Sequence, residues 1–384
     1  MSAAALRRLA RLTLTDFRNY ASLTWRPVAP ISVIVGPNGS GKTNLLEAVS
    51  LLVPGRGLRG ARTADLARQG PGATGRWAVA GRFSDPAGET DIGTGSPPDG
   101  PPNDPANRRV FRLNGTAPRN QGEIAAQLAA VWLTPQMDRL FQEAASGRRR
   151  FLDRLVFALE PGHAREVAAY EAAMSNRNRL LAEGRGDTAW LAGLEDSMAR
   201  HTVAATASRA ALVARLNTAL AEGAAAPFPA ARMALLCPIA DRLANTPALD
   251  VEDWLRASLV MRRDQDAQAA SSGLGAHRAD MGLADAVAGI PAQLASTGQQ
   301  KALLIGVILG HATLIASARQ APPLLLLDEP AVHLDTDRRA ALCAVLRRLG
   351  GQILITGTDA DAYDGLRGAA EFLVCGDGRL SSMA

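Results

Sequence analysis

The sequence is poor in cysteine and has no cysteine pairing pattern. Cys237, Cys343 and Cys375 are odd in number, and no two of them stand in a C-x-x-C spacing. Neither a disulfide framework nor a zinc site is therefore indicated, and a reducing interior is the natural setting.

Long apolar runs are also missing. No run approaches the length of a membrane span, and the first twelve residues, M-S-A-A-A-L-R-R-L-A-R-L, lack the apolar core and cleavage pattern of a signal peptide. We therefore expect a soluble, cytoplasmic protein with no membrane partner.

Lysine is nearly absent from a chain that is otherwise rich in basic residues. Of 42 Lys and Arg residues only two are lysines, Lys42 and Lys301. The net charge of +5 and the pI near 9.6 favour a polyanionic partner, although a charged but inert surface fits them equally well. A length of 384 residues with 47% hydrophobic content allows two or three domains with a sizeable core, which excludes overall disorder.

The first of the two lysines lies in a phosphate-binding motif. An apolar run, Ile31 to Val35, ends in a glycine, and a helical pattern opens after Lys42, so that G-x-x-x-x-G-K-[ST] lies between a strand and a helix. Glycines let backbone N–H groups wrap closely around a triphosphate, at which the positive end of the helix dipole points. We expect Lys42 to reach the β- and γ-phosphates and Thr43 to hold Mg²⁺. The predicted ATP-binding residues are Gly36, Pro37, Asn38, Gly39, Ser40, Gly41, Lys42, Thr43 and Asn44.

A second motif is an apolar run that ends in two acids, Asp328 and Glu329. Four consecutive leucines before them suit a central parallel strand that is covered on both faces. Adjacent carboxylates at its end would be badly desolvated unless they serve a cation or a water molecule. Downstream of a phosphate loop, we interpret Asp328 as the Mg²⁺-linked acid and Glu329 as the catalytic residue that orients or deprotonates the attacking water. Without that loop, a plain strand end and turn would fit as well.

A third motif, Ser296-Thr297-Gly298-Gln299, precedes a strongly apolar helix that is predicted to run to about Ala318. Serine, glycine and glutamine at a helix start can offer a hydroxyl and backbone N–H groups to an anion. A plain capping motif is the alternative.

The middle of the chain changes to helical patterns. A basic run, Arg148-Arg149-Arg150, leads the first of these helices and could contact phosphates or form a solvated face. The predicted helices are Ser146 to about Glu160, His163–Glu183, Thr188–Glu222 and Asp250–Ala270. Before them, strands are predicted within Leu9–Trp25, Arg76–Phe83 and Arg108–Leu113, and most of residues 84–107 is predicted to be an exposed loop.

The order of these motifs resembles that of ABC-type ATPases. Ser296 to Gln299 resembles the signature segment, His333 to Asp335 the D-loop, and Gln352 to Asp359 the last core strand and its switch. In transporter ATPases the signature follows the phosphate loop much more closely, whereas SMC heads separate the two by a long coiled coil. The separation here, 254 residues from Lys42 to Ser296, is similar to that of the RecF family of bacterial recombination-mediator ATPases.

Further stretches carry the RecF resemblance over nearly the whole chain: Phe17 to Tyr20, Leu133 to Gln136, Arg148 to Asp153, and Gly275 to Asp280. The chain departs from the family pattern at Ala276, Ala279 and His333. The resemblance implies an α/β fold, in which a P-loop ABC-type, SMC-like ATPase lobe (1–132 and 291–384) carries an inserted, mainly helical lobe (133–290) without a long coiled coil.

The same resemblance assigns roles to individual residues. It implies that the signature acts on the partner subunit's nucleotide and that the basic run contacts DNA. The residues implied are Ser296, Gly298 and Gln299 in trans, Asp335, Thr356 and Thr358 in the D-loop and switch, Gln136 in the Q-loop, and Arg148, Arg149 and Arg150 toward DNA.

In function, the resemblance implies an ATP-dependent DNA-binding protein of recombinational repair and replication-gap processing. Such a protein is a weak, DNA-stimulated, Mg²⁺-dependent ATPase that dimerises with ATP, binds duplex and gapped DNA near single-strand junctions, and assists RecA loading with RecR and RecO. The residues alone predict a Mg²⁺-dependent ATPase with a composite site. The alternative is the nucleotide-binding subunit of an ABC transporter.

Overall fold

The computed structural model describes residues 7–98, 109–184 and 187–383, and the chain divides into two compact units. The first unit comprises residues 1–138, 222–230 and 296–384, and the second comprises 139–221 and 231–295. Residues 222–230 belong to the first unit, although the sequence analysis placed them in the inserted lobe. The reason is packing against α9: a Cβ added to Gly306 would lie 3.5 Å from the carbonyl oxygen of Pro229.

The helices and strands alternate irregularly along the chain. In chain order they are β1 (Arg8–Phe17), β2 (Tyr20–Trp25), β3 (Ile31–Val35), α1 (Lys42–Ser50), β4 (Ala78–Asp85), β5 (Gly88–Gly95), β6 (Val110–Leu113), α2 (Gln121–Gln127), β7 (Ala130–Leu133), α3 (Ala145–Leu159), α4 (His163–Glu183), α5 (Thr188–Ala221), β8 (Ala231–Leu236), α6 (Pro238–Leu243), α7 (Ala248–Met261), α8 (Arg263–Gln268), β9 (Asp280–Asp285), α9 (Thr297–Arg319), β10 (Leu324–Leu327), α10 (Thr336–Arg348), β11 (Ile353–Gly357), β12 (Ala370–Gly376) and β13 (Arg379–Ser382).

A mostly parallel sheet in the first unit positions the predicted site. Its strand order is β13-β12-β3-β11-β10-β7, and only β13 pairs antiparallel. Every residue of β3, β10 and β11 is buried, as expected for strands that are covered on both faces. The carboxyl ends of parallel strands meet at one edge of the sheet, so the phosphate loop, the acid pair and the switch lie side by side.

A second sheet of the first unit is antiparallel, with the order β2-β1-β4-β5-β6. The prediction of an exposed loop is wrong over β5, which pairs with β4 on one side and with β6 on the other. The sequence of β5, G-E-T-D-I-G-T-G, is poor in strand-forming residues, and pairing on both sides overrides that local preference. Residues 99–108 of the predicted loop and strand lie outside the described residues.

The second unit is mainly helical, as expected. Helices α4 and α5 pack along each other, and among the described residues α5, with 34 residues, is the longest helix, so this part of the chain contains no long coiled coil. The predicted helix from Asp250 to Ala270 is two helices, because the backbone leaves helical geometry at Arg262 (φ −92°, ψ 0°). An antiparallel pair, β8 and β9, is also present and was not predicted.

Helix α9 corrects the expectation that no segment reaches the length of a membrane span. It has 23 residues with a mean hydropathy of 1.7 over its most apolar window, which is enough by length and composition to cross a membrane. However, 72% of that window is buried inside the protein. A helix that is apolar on all sides is expected at the centre of a large core, and α9 occupies that place in the first unit.

Candidate active site

The phosphate loop lies between β3 and α1 and is packed too closely for side chains at two of its glycines. A Cβ on Gly36 would lie 2.4 Å from the carbonyl oxygen of Cys375, and one on Gly41 would lie 2.4 Å from Nδ2 of Asn19. Both glycines also have positive φ angles, 152° and 109°. Only glycine satisfies both conditions, so the loop backbone is fixed by its surroundings as well as by its own sequence.

Lys42, the first residue of α1, is buried and holds the loop from inside. Its ammonium group donates hydrogen bonds to the carbonyl oxygens of Gly36, at 2.8 Å, and Pro37, at 3.0 Å. These contacts place the charge within the concave side of the loop, where the β- and γ-phosphates of a nucleotide would lie.

Three side chains support the loop from behind. The Tyr20 hydroxyl donates to the carbonyl oxygen of Gly41 at 3.0 Å, and the Asn19 amide donates to that of Ser40 at 3.1 Å. The Cys375 thiol lies 3.4 Å from the same Ser40 oxygen and also 3.4 Å from the Tyr20 hydroxyl. The sequence marked residues 17–20 only by resemblance; the structure shows Asn19 and Tyr20 bound to the loop backbone.

A charged pair joins the second half of α1 to the same segment. Arg18, which has a positive φ of 54°, donates from Nε and Nη2 to the two carboxylate oxygens of the buried Glu47, at 2.8 and 2.9 Å. A bidentate arginine pair is stronger and more directional than a single contact. No local pattern in the sequence indicates this pair, because its members are 29 residues apart.

The predicted metal-linked residues meet at the carboxyl ends of the strands. Asp328 is 3% exposed, and its Oδ1 accepts hydrogen bonds from the Thr43 hydroxyl, at 2.9 Å, and from the Thr356 hydroxyl, at 2.6 Å. The Thr356 oxygen in turn accepts from the backbone N–H of Glu329 at 3.1 Å. One threonine of the switch strand therefore connects both acids.

The donor set of this cluster fits Mg²⁺. A hydroxyl and a carboxylate oxygen are hard ligands, and Mg²⁺ in nucleotide sites takes one or two protein ligands together with phosphate oxygens and water. Among the described residues, no group of three or more His, Cys, Asp or Glu side chains could hold a metal without such help. Thr43 and Asp328 are thus suited to a metal that arrives with a nucleotide.

Glu329 follows Asp328 with an unusual backbone. Its φ is +50°, a conformation that L-residues adopt rarely and that recurs at functional sites. The Glu329 side chain is half-buried. The backbone carbonyl oxygen of Glu329 accepts a hydrogen bond from the ammonium group of Lys301 at 3.2 Å. The second of the chain's two lysines is therefore bound to the backbone of the predicted catalytic residue.

Gln136 lies in a short 3-10 helix, Pro135–Arg139, directly after β7. Since β7 is the parallel neighbour of β10, this segment lies next to the acid pair along the sheet edge. Gln136 itself is exposed.

The predicted signature segment is a complete capping box at the start of α9. The Ser296 hydroxyl accepts from the N–H of Gln299, and the Gln299 side chain accepts from the N–H of Ser296. Both residues are exposed. The predicted D-loop, His333 to Asp335, lies next to the predicted signature segment: a Cβ added to Gly298 would lie 3.0 Å from the carbonyl oxygen of His333. Asp335 caps α10, accepting from the N–H of Arg338 at 2.8 Å.

The two switch threonines differ in position. Thr356 is fully buried at the acid pair, whereas Thr358 is exposed beyond the end of β11. The Tyr363 hydroxyl donates to the carbonyl oxygen of Thr356 at 3.0 Å and fixes the end of the strand.

Comparison with known proteins identifies the family. A family model described as the RecF/RecN/SMC N terminal domain matches residues 8–370. The chain is 45% identical over 373 residues to the DNA replication and repair protein RecF of Mesorhizobium japonicum, covering 96% of each, and 46% identical over 373 residues to that of Allorhizobium ampelinum, covering 97% of this chain and 98% of the relative. The chain belongs to the RecF family.

Solved structures agree with the RecF fold. A structure of the recombination mediator protein RecF bound to ATPrS in the RecFOR pathway superposes with a TM-score of 0.85 and 22% identity, covering all of both chains. An SMC head bound to the C-winged helix domain of ScpA superposes with a TM-score of 0.54 and 16% identity, covering 98% of each. The two matches confirm the RecF and SMC head architecture predicted from the motifs.

The basic run of this RecF-family chain is not a uniform charged face. Arg148 donates from Nε and Nη2 to both carboxylate oxygens of Asp280, at 2.8 and 2.7 Å, within the second unit. Arg149 is half-buried and donates to the carbonyl oxygen of Ala279 at 3.0 Å, whereas Arg150 is exposed. These contacts give Arg148 a structural role and leave Arg149 and Arg150 as the stronger candidates for an external anion.

Proposed function

We propose that this chain is an ATP-dependent DNA-binding protein of recombinational repair and replication-gap processing, acting in the cytoplasm as a weak, DNA-stimulated ATPase. The observation that carries the ATPase part is the convergence of Thr43 and Thr356 on one oxygen of Asp328, beside a closely packed phosphate loop. A binding module without hydrolysis would not require the buried carboxylate or its neighbour Glu329.

In this proposal the loop binds ATP through its backbone N–H groups and through Lys42. The ammonium group exchanges its two loop carbonyls for β- and γ-phosphate oxygens. The backbone at Gly36 and Gly41 is already fixed by neighbouring groups, so the loop needs little ordering when ATP binds.

Thr43 and Asp328 would hold Mg²⁺, which supplies charge neutralisation at the phosphates when it is bound. The Thr356 hydroxyl keeps the Asp328 carboxylate in place, because it donates to the same oxygen as Thr43. That shared contact fixes the acid before the nucleotide arrives.

Glu329 would orient or deprotonate the attacking water. Its backbone is held by Thr356 on one side and by Lys301 on the other, so the direction of the side chain is restricted. Gln136 follows β7 at the same edge of the sheet and would contact the attacking water together with Glu329.

We propose that Ser296, Gly298 and Gln299 act on the nucleotide of a partner subunit in an ATP-dependent homodimer. Support comes from the exposure of Ser296 and Gln299 and from the capping box, which uses the N–H groups of these two residues and fixes the backbone of Thr297 and Gly298 between them, whose N–H groups lie in the first turn of α9. The adjacent D-loop, with Asp335 at the start of α10, would lie at the same interface.

The proposed partners are duplex and gapped DNA, with RecR, RecO and RecA as protein partners. Support for DNA comes from the relatives, which are named DNA replication and repair proteins, and from the net charge of +5. Support for RecR and RecO is the structure of a RecF assigned to the RecFOR pathway, and RecA is proposed from the family resemblance alone. Membership of the RecF family also favours this reading over a transporter subunit.

The deciding experiment is ATP hydrolysis measured with no DNA, with duplex DNA and with gapped DNA, alongside a Lys42→Ala control. We expect slow, Mg²⁺-dependent hydrolysis that DNA increases and that the variant lacks. Hydrolysis that is absent under all conditions, or that is equal in the variant, would overturn the ATPase assignment. Hydrolysis that no DNA changes, without DNA binding, would overturn the DNA assignment alone.

A further inference from the structure

A small polar cavity lies within the second unit, at the start of α3. Its volume is about 110 Å³, and its polar lining includes Ser146, Arg149, Arg150, Tyr170, Arg209 and His277. Pockets that enclose drug-sized ligands have volumes of roughly 300–1,000 Å³, so this cavity suits one small group and excludes a nucleoside.

Three arginines give the cavity an excess of positive charge. Neither Arg149 nor Arg150 forms an ion pair with a carboxylate among the described residues, and Arg149 is half-buried. Burial lowers the pKa of Arg149, and the positive charges of Arg209 and Arg150 lower it further, while the negative charges of Asp153 and Asp280 act in the opposite direction. Crowded guanidinium groups of this kind are stabilised by an anion that accepts hydrogen bonds from several of them.

Two carboxylates, Asp153 and Glu171, also line the cavity, and they offset only part of the charge of the three arginines. Both oxygens of Asp153 accept from Arg209, at 2.7 and 2.9 Å, and one of them also contacts His163 at 2.8 Å. Asp153 therefore neutralises the arginine that already holds it. Glu171 is exposed at the rim.

The aromatic wall of the cavity is neutral and fixed. The Nε2–H of His277 donates to the carbonyl oxygen of Ser272 at 2.9 Å, which leaves Nδ1 to accept from the Tyr170 hydroxyl. The pKa of His277 is lowered, mainly by burial, so the ring contributes no charge near pH 7. The wall sets the shape of the cavity, and the arginines set its charge.

We infer that this cavity binds a phosphate group of a nucleic-acid strand, held by Arg149 and Arg150 with the Ser146 hydroxyl as a further donor. The inference rests on the proposed DNA binding, to which it adds a specific site. A terminal phosphate monoester and an internal phosphodiester both accept hydrogen bonds from arginine, and a cavity of this small volume favours the terminal group because a diester needs room on both sides.

The test has an arm that needs no DNA. The full-length protein is heated with inorganic phosphate or with chloride at equal ionic strength. We expect phosphate to raise the melting temperature of the parent and of Arg215→Gln, and to raise it less in Arg149→Gln and Arg150→Gln. Arg215 is exposed on α5 and does not line the cavity, which makes it a matched control. Equal shifts in all four proteins would overturn the inference, whether or not the parent binds DNA.

The second arm identifies the source of the phosphate. Gapped DNA is prepared with a 5′-phosphate or a 5′-hydroxyl at the gap, and binding is measured for the same four proteins. A terminal site predicts about tenfold tighter binding of the phosphorylated gap, equivalent to about 1.4 kcal/mol, and loss of that preference in the two cavity variants. An internal site predicts weaker binding of both substrates in those variants. Parent-like affinity of both variants for both substrates would exclude either source.

Discussion

The ammonium group of Lys301 donates hydrogen bonds to the carbonyl oxygen of Glu329, at 3.2 Å, and to Oδ2 of Asp138, at 3.1 Å. Lys301 is 1% exposed and lies on α9, in the second turn of the helix that Ser296 caps. Asp138 follows Gln136 in the segment after β7. One buried lysine thus connects three elements of the proposed site, and each of them contains a residue that we propose to act on a nucleotide, namely Ser296, Gln136 and Glu329.

We expect Lys301 to position Glu329 rather than to touch ATP. Lys301→Met should lower kcat by up to about a hundredfold, because a small displacement of a catalytic group is costly, and should leave KM for ATP nearly unchanged. Lys301→Arg should restore part of kcat. Steady-state ATPase kinetics measure both effects. A kcat that stays at the parent value, or an equal loss in Met and Arg variants of equal melting temperature, would leave Lys301 a purely structural residue.

A second prediction concerns the threonine that joins the two acids. Thr356→Val removes the donor to Asp328 and the acceptor of the Glu329 N–H, and each buried group left unsatisfied costs about 1–3 kcal/mol. We expect lower thermal stability and hydrolysis that requires more Mg²⁺. Thr356→Ser keeps the hydroxyl and should behave like the parent. A valine variant with an unchanged Mg²⁺ titration would show that the hydroxyl does not act on the metal-linked acid.

The third prediction tests the catalytic acid. Glu329→Gln should bind ATP and Mg²⁺ nearly as the parent does and hydrolyse at least about a hundredfold more slowly, since a positioned base is lost. If the ATP-bound dimer opens only after hydrolysis, the variant should accumulate as a dimer in gel filtration with ATP. A variant that remains monomeric while it turns over at the parent rate would contradict the assignment.

The fourth prediction asks whether Ser296 acts in trans. Lys42→Ala and Ser296→Arg should each abolish hydrolysis, because every site of either homodimer has one damaged half. In a mixture, a heterodimer has one intact site, so about a quarter of all sites should be sound under random, equal exchange of a group that is supplied in trans.

Activity should therefore return in part when the two inactive proteins are mixed. Heterodimer formation is followed in the same samples by gel filtration with ATP. Heterodimers that form and bind ATP, yet hydrolyse none of it in a single turnover, would remove the support for a composite site.

A fifth prediction concerns the second unit and pH. Burial acts to raise the pKa of Asp153, but hydrogen bonds from His163 and Arg209 outweigh it and hold the pKa below its ordinary value. The stability that Asp153 contributes is therefore present above its unfolded pKa of about 3.9 and is lost as the pH falls through the lower folded value. Asp153→Asn should unfold at lower urea than the parent at pH 5, and the difference should shrink toward pH 3. A difference that stays constant over this range would exclude the ionised pair as its cause.

The sequence predicted those parts of the site that are local in the chain. The phosphate loop and the acid-tipped strand are each recognisable from a motif of about ten residues. The sequence therefore predicted that Thr43 lies near Asp328 and Glu329, and the structure shows Thr43 bonded to Asp328. The contact between Thr356 and Asp328 spans 28 residues and depends on the order of strands in the sheet, which no local pattern contains. Lys301 stands out in the sequence because lysine is rare in this chain, but no sequence pattern indicated that it would bond to Asp138 and to the backbone of Glu329.

The errors in the fold have the same origin. Strand β5 forms because β4 and β6 flank it, and its own residues do not favour a strand. The segment from Asp250 to Ala270 was predicted as one helix, but the helix ends at Arg262 and a second one follows. In the second helix, Asp266 lies 2.7 Å from the buried Arg177 of α4. In both places tertiary contacts outweigh the local preference of the chain.

The two hydrogen bonds from Lys42 to the loop carbonyl oxygens affect how substitutions of this lysine are interpreted. Its ammonium group already binds the carbonyl oxygens of Gly36 and Pro37 inside the loop, so the phosphates of ATP must draw it away from these two oxygens. Removing it takes away the phosphate contact and, in addition, leaves the carbonyl oxygens of Gly36 and Pro37 without this hydrogen-bond donor. Lys42→Ala should therefore report on the shape of the empty loop as much as on catalysis, and Lys42→Arg, which keeps the donors, separates the two.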